Sequence, residues 1–156
     1  MRPGVAGVAV LLAATASGGI EHTILYGASV GQVRAWVGPD ELPGLTQSEL
    51  QRIAEAHLSQ GGVRVDPSAE STLFVSATVT LTLPGACFVH LEGRFVEPAR
   101  LNRNGHAVRA STWSRGGEAA SKSLEECAHG AVKTAEVVVG DFVEHYRAMN
   151  PVSAGH

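Results

Sequence analysis

The sequence predicts an α+β domain: a two-layer sandwich with a mostly antiparallel sheet, order β-α-β-β-β-β-α, and two helices on one face. Three observations carry this. From Leu73 to Leu83 every odd position is apolar, while Phe74, Ser76, Thr78, Thr80 and Thr82 fill the even ones. That period of two buries one face of a strand and leaves the other open. A second run, Cys87 to Glu97, alternates in the same way, with Val89, Leu91, Gly93 and Phe95 against His90, Glu92 and Arg94. Finally, a long apolar stripe at helical spacing runs from Leu124 to Met149.

The first sixteen residues read as an export signal. Arg2 is the positive n-region, Val5 to Ala14 the apolar stretch, and Ala14-Thr15-Ala16 the small-x-small cleavage pattern. Residues 17–29 form an irregular lead-in, residues 30–151 the domain, and residues 152–156 a tail. Val30 to Val37 has strand character, with Val33, Ala35 and Val37 alternating against Gln32, Arg34 and Trp36. The loop from Gly38 to Gly44 is punctuated by Pro39 and Pro43.

Thr46 and Glu49 have the spacing of a capping box, and Leu45 and Leu50 that of a hydrophobic staple. Leu50, Ile53, Ala54, His57 and Leu58 share a face of the resulting helix, which Gly61-Gly62 ends. Val63-Arg64-Val65 reads as a short strand stopped by Asp66-Pro67. After the long hairpin, Asn102-Arg103-Asn104-Gly105 turns the chain into a strand over Ala107 to Trp113, and Ser114 to Ser121 reads as a glycine-containing loop. Ser123 and Glu126 repeat the capping-box spacing before the last helix, which stops ahead of Asn150-Pro151. At about 1.5 Å per residue that helix is roughly 40 Å long, and an eleven-residue strand at about 3.3 Å per residue is roughly 36 Å. The helix can therefore lie along the hairpin and cover its apolar face.

The composition narrows the function. The chain has 156 residues, 15 acidic and 12 basic (ten Arg, two Lys), for a formal net charge of −3. A mildly acidic chain with scattered Arg does not suit nucleic acid. No apolar run reaches the roughly 18 residues that span a bilayer. The seven histidines lie apart, without the i,i+4 spacing of a helical metal site. Neither a nucleophile elbow nor a phosphate-cradling loop is present, so the expectation is a protein without catalytic activity, metal or cofactor. Cys87 and Cys127 are the two cysteines. An oxidising compartment would favour a bridge between them, and two buried thiols are the alternative.

Two surfaces invite a ligand. Ser76, Thr78, Thr80 and Thr82 form an uncharged ladder on the side without helices, suited to docking a protein partner in the cell envelope. Alternatively, His90, Arg94, Arg103 and Arg109 could gather an anion or small molecule at one end of the sheet.

A resemblance adds to this. A helix closed by Gly61-Gly62-Val63-Arg64-Val65, a strand closing on Thr112-Trp113-Ser114, and a terminal helix reading Asp141-Phe142-Val143-x-x-Tyr146-x-x-x-Asn150-Pro151 follow the signal. The pattern resembles small exported bacterial proteins of unknown function. Over residues 30–151 its layout is similar to the amino-terminal domain of TolB and to lipoprotein activators of penicillin-binding proteins. The resemblance implies periplasmic or secreted localisation and binding or assembly work in the envelope, and it carries over no catalytic residue. No cysteine stands near residue 17, where the lipoprotein members carry theirs.

Overall fold

The computed structural model describes residues 9–11, 25–82 and 85–151. Most of the signal segment, and His22, Leu83, Pro84 and His156, lie outside the described residues.

Seven elements follow one another: β1 (Ala9–Leu11), β2 (Gln32–Pro39), α1 (Gln47–Gln60), β3 (Thr72–Thr82), β4 (Ala86–Arg100), β5 (Ala107–Ser121) and α2 (Leu124–Met149). They form one sheet in the order β1-β5-β4-β3-β2. The antiparallel β3–β4–β5 meander is its centre, and β2 joins β3 in parallel through the α1 crossover. Both helices pack on the same face, so the α+β class and the layering are those expected from the period-two strands.

The helix ends explain themselves. Thr46 Oγ1 accepts from the Glu49 amide (3.1 Å), and the Ser123 hydroxyl accepts from the Glu126 amide (3.4 Å). The return arm of each capping box goes elsewhere: the Glu49 carboxylate takes Arg52 at 2.6 Å, and Glu126 accepts from Ser121 Oγ at 2.8 Å. Each N-terminus therefore keeps the half of the motif that satisfies a helix amide. At the other end of α1, Gly62 has φ +75°, and the amides of Gly62 and Val63 donate to the carbonyls of Ser59 (3.1 Å) and Leu58 (2.9 Å). This is a Schellman closure, and glycine supplies its left-handed residue without strain.

The core lies between sheet and helices. Leu73, Val75, Ala77 and Val79 from β3, with Cys87, Val89, Leu91 and Phe95 from β4, meet Ala131, Ala135, Val139 and Phe142 of α2. Phe142 lies tilted against Phe95, with ring centroids 5.3 Å apart and planes at 43°, and meets Trp113 edge-on at 5.1 Å. Gly93 is needed where α2 crosses β4, since a Cβ there would stand 2.8 Å from Val138 and 3.0 Å from Trp113. A disulfide joins Cys87 to Cys127, with Cα atoms 6.2 Å apart and both residues buried. It ties the start of β4 to the first turn of α2.

Two local expectations are corrected. Val63 to Val65 is not a strand of its own: only an isolated parallel bridge, Val30 to Val65, remains. Gly61 and Gly62 have already turned the chain, and Pro67 stops it before a ladder can grow. Conversely, Ser114 to Ser121 is not a loop. It continues β5, paired through to Cys87↔Ser121. Gly116 and Gly117 suggest a break, but the long β4 template supplies hydrogen-bonding partners that local propensity does not foresee. A bulge between Phe95 and Val96 resets the register midway.

The lead-in is also pinned. Asn150 accepts from the Gly27 amide (2.8 Å) and donates to the Leu25 carbonyl (2.7 Å), while Tyr146 donates to the Ala28 carbonyl (2.9 Å). The end of α2 thus holds the segment that leads into β2.

Candidate docking face

The face without helices is built from the even positions of β2 and β3 and their register partners. Three rows cross it: Arg34–Phe74–Arg94–Ser114, Trp36–Ser76–Glu92–Gly116, and Gly38–Thr78–His90–Glu118. A fourth row places Thr80 beside Phe88 and Ala120. Alternation along each strand puts these side chains on the face opposite the core.

Thr78, Thr80 and Thr82 are exposed, and Ser76 is half-buried with its hydroxyl 3.5 Å from the Glu92 carbonyl. Thr82 donates back to the Ala86 carbonyl at 3.3 Å, within the hairpin end. Thr72, which starts β3 ahead of the ladder, is buried and accepts from Gln32 Nε2 at 3.1 Å.

The uncharged character holds for β3 alone. Next to it, Arg94 faces Glu92 at 3.6 Å and His90 faces Glu118 at 3.7 Å. Both pairs are partly exposed, so each contributes little to stability. Two aromatic side chains complete the face: Trp36 is 47% exposed and Phe88 40% exposed. Residue-type reasoning about the Thr ladder passes over them. The same period-two argument contains them, since Trp36 alternates against Val37 and Phe88 against Val89.

The Arg and His candidates are not drawn together. His90 and Arg94 lie mid-sheet beside carboxylates, and Arg103 sits in the exposed turn after β4. Arg109 is beyond the bulge, opposite Pro98, with Nη2 3.5 Å from Thr72 Oγ1. The depression beside His90, about 210 Å³, is also lined by Glu92 and Glu118, which disfavours an anion there. Arg115, which lines the same depression, pairs with Asp141 of α2 at 3.0 Å.

Among the described residues no group of three or more His, Cys, Asp or Glu is placed to hold a metal ion. Two carboxyls, both remote from the open face, are held below their ordinary range: Glu49 by its hydrogen bond from Arg52, and Asp66 by those from Ser68. Among the described residues no helix is long and apolar enough to cross a membrane.

No family model matches the chain, and no curated protein matches it. Among solved structures, a PelC variant dodecamer from Paraburkholderia phytofirmans is similar at 14% identity and a TM-score of 0.43, covering 86% of this chain and 96% of that one. A minor lipoprotein from Acinetobacter baumannii is similar at 13% identity and a TM-score of 0.28, covering 77% of this chain and 93% of that one.

Proposed function

We infer that this is an exported, non-catalytic accessory protein of the cell envelope that docks a protein partner on its open sheet face. The observation that carries the reading is that Trp36 on β2 and Phe88 on β4 are both exposed on the open face, two register rows apart, with the neutral Thr78 and Thr80 on the strand between them. Exposed aromatic side chains beside a neutral strand are what interface cores enrich, and Arg34, Glu92, Arg94 and Glu118 stand around them as a polar rim does. Export is supported by the signal pattern of residues 1–16, whose cleavage would take β1 from the edge of the sheet and leave β2–β5, and by the buried Cys87–Cys127 disulfide, which persists in oxidising compartments. The pairing of Arg94 and His90 with carboxylates leaves the anion-binding alternative without a specific observation in its favour.

The test is Thr78→Arg together with Thr80→Arg. Both positions are exposed, so the variant should fold with its disulfide intact and fail to retain a partner that the parent recovers from envelope extracts and rebinds in purified form. Equal retention by parent and variant refutes docking on this face.

A further inference from the structure

The free edge of the sheet offers a second surface, of a different kind. β2 is the outermost strand on its side. The Gln32 amide donates inward to the Ser71 carbonyl at 3.2 Å, so Gln32, Arg34, Trp36 and Gly38 turn their backbone groups toward β3. Val33, Ala35 and Val37 therefore turn theirs outward. The Val33 carbonyl shows this directly, since it accepts from Gln51 Nε2 of α1 at 2.9 Å. Among the described residues, no hydrogen bond reaches the backbone groups of Ala35 or Val37 from outside the sheet.

This edge is self-complementary. We propose that two copies of the chain pair through β2, antiparallel about a two-fold axis at Ala35, to make one continuous sheet. Ala35 would then exchange two backbone bonds with the partner's Ala35, and Val33 would do the same with the partner's Val37. Arg34 and Trp36 share the open face, and this register sets each opposite the other in the second copy, Arg34 against the partner's Trp36 and the reverse. Such directly opposite side chains stand about 5 Å apart at their Cβ atoms.

Three observations make the second copy the occupant rather than an arbitrary strand. The arrangement uses the same patch twice, as an isologous interface must. Its reciprocal Arg–Trp pairs are cation–π pairs, and both side chains are exposed in the single chain. The Trp36 ring leans along the strand toward Gly38, where an added Cβ would stand 2.9 Å from its Cζ2 atom, and the Arg34 guanidinium beside it donates to Gln32 Oε1 at 3.1 Å, within the same strand. Val33 and Val37, half-buried on the core side, would meet each other across the junction. Gln51 would have to release or share the Val33 carbonyl. The proposal does not depend on a partner for the open face.

Sedimentation and light scattering of the full chain, disulfide intact, test it. A dimer is expected, weakened about tenfold by Trp36→Ala through loss of two symmetry-related cation–π pairs. An equimolar mixture of Arg34→Cys and Trp36→Cys chains, which keeps one of the two Arg–Trp pairs, should give a covalent dimer on a non-reducing gel, and Arg34→Cys alone should not, because residue 34 does not face its own copy in this register. Should Trp36→Ala misfold, Arg34→Glu, at an exposed position, reports the same contact. A monomer at all accessible concentrations overturns the proposal, and so does a dimer that neither variant weakens and the cysteine pair does not trap. Thr78→Arg/Thr80→Arg should leave dimerisation unchanged, which separates this outcome from a failure of open-face docking.

Discussion

The two faces of the sheet are made from the same strands and obey opposite rules. On the covered face Val75, Ala77, Val79, Val89 and Leu91 are sealed under α2, and each side chain is fixed by its neighbours. On the open face Thr78, Thr80, His90 and Phe88 reach solvent one residue away along the same backbone. Volume decides what is tolerated on the first face, and exposure decides it on the second. A substitution therefore reports which face it is on by what it costs.

The largest effect belongs to the bridge that fastens the covered face. Replacing Cys87 and Cys127 by Ala opens a loop of 40-residue separation. Loop-closure entropy for that length predicts a loss of about 4 kcal/mol, measurable by urea unfolding with and without reductant. Next, Leu91→Ala beneath α2 should cost about 3 kcal/mol, the mid-range for emptying a fully buried leucine site. An equally large loss at Thr78 or Thr80 would break the comparison.

Asn150→Ala tests the latch at the end of α2, where one side chain both accepts from Gly27 and donates to Leu25. About 1 kcal/mol is expected in thermal or chemical unfolding, since the partly covered Leu25 carbonyl loses its partner while the exposed Gly27 amide turns to water. On the open face, Thr78→Arg/Thr80→Arg should change stability by no more than about 0.5 kcal/mol, a cost typical of surface positions.

The smallest effect is a pH dependence. Glu49 has its carboxyl lowered below the ordinary 4.5 by the hydrogen bond from Arg52. A lowered folded-state pKa means its contribution is fully present above the unfolded value and is lost as pH falls through the folded one. Glu49→Gln should flatten the acid limb of an unfolding-versus-pH curve slightly, and a steeper limb would contradict the assignment.

Local signals carried the helices and the central hairpin. The alternation of β3 and β4 defined which residues go inside, because a strand has only two faces and a one-residue slip would invert them all. The Thr46 and Ser123 caps and the Gly61-Gly62 stop positioned the helices for the same reason: each satisfies groups within a turn of itself. The continuation of β5 through Gly116 and Gly117 was not legible, since its hydrogen bonds come from β4, more than twenty residues earlier. Nor was the placement of His90, Arg94, Arg103 and Arg109: the first two stand mid-strand beside carboxylates, Arg103 sits in the turn, and Arg109 lies past the bulge on β5.

By itself, then, the sequence determined the class of fold, the covered and open faces, the two helices and the residues of the Thr ladder. These follow from periodicity and capping, which act over a few residues. The tertiary structure alone decided that Cys87 meets Cys127, that Asn150 holds the lead-in, and that β2 is an edge with Trp36 and Arg34 displayed beside it. Those outcomes depend on which distant strands become neighbours, and that choice is made by packing the whole core at once.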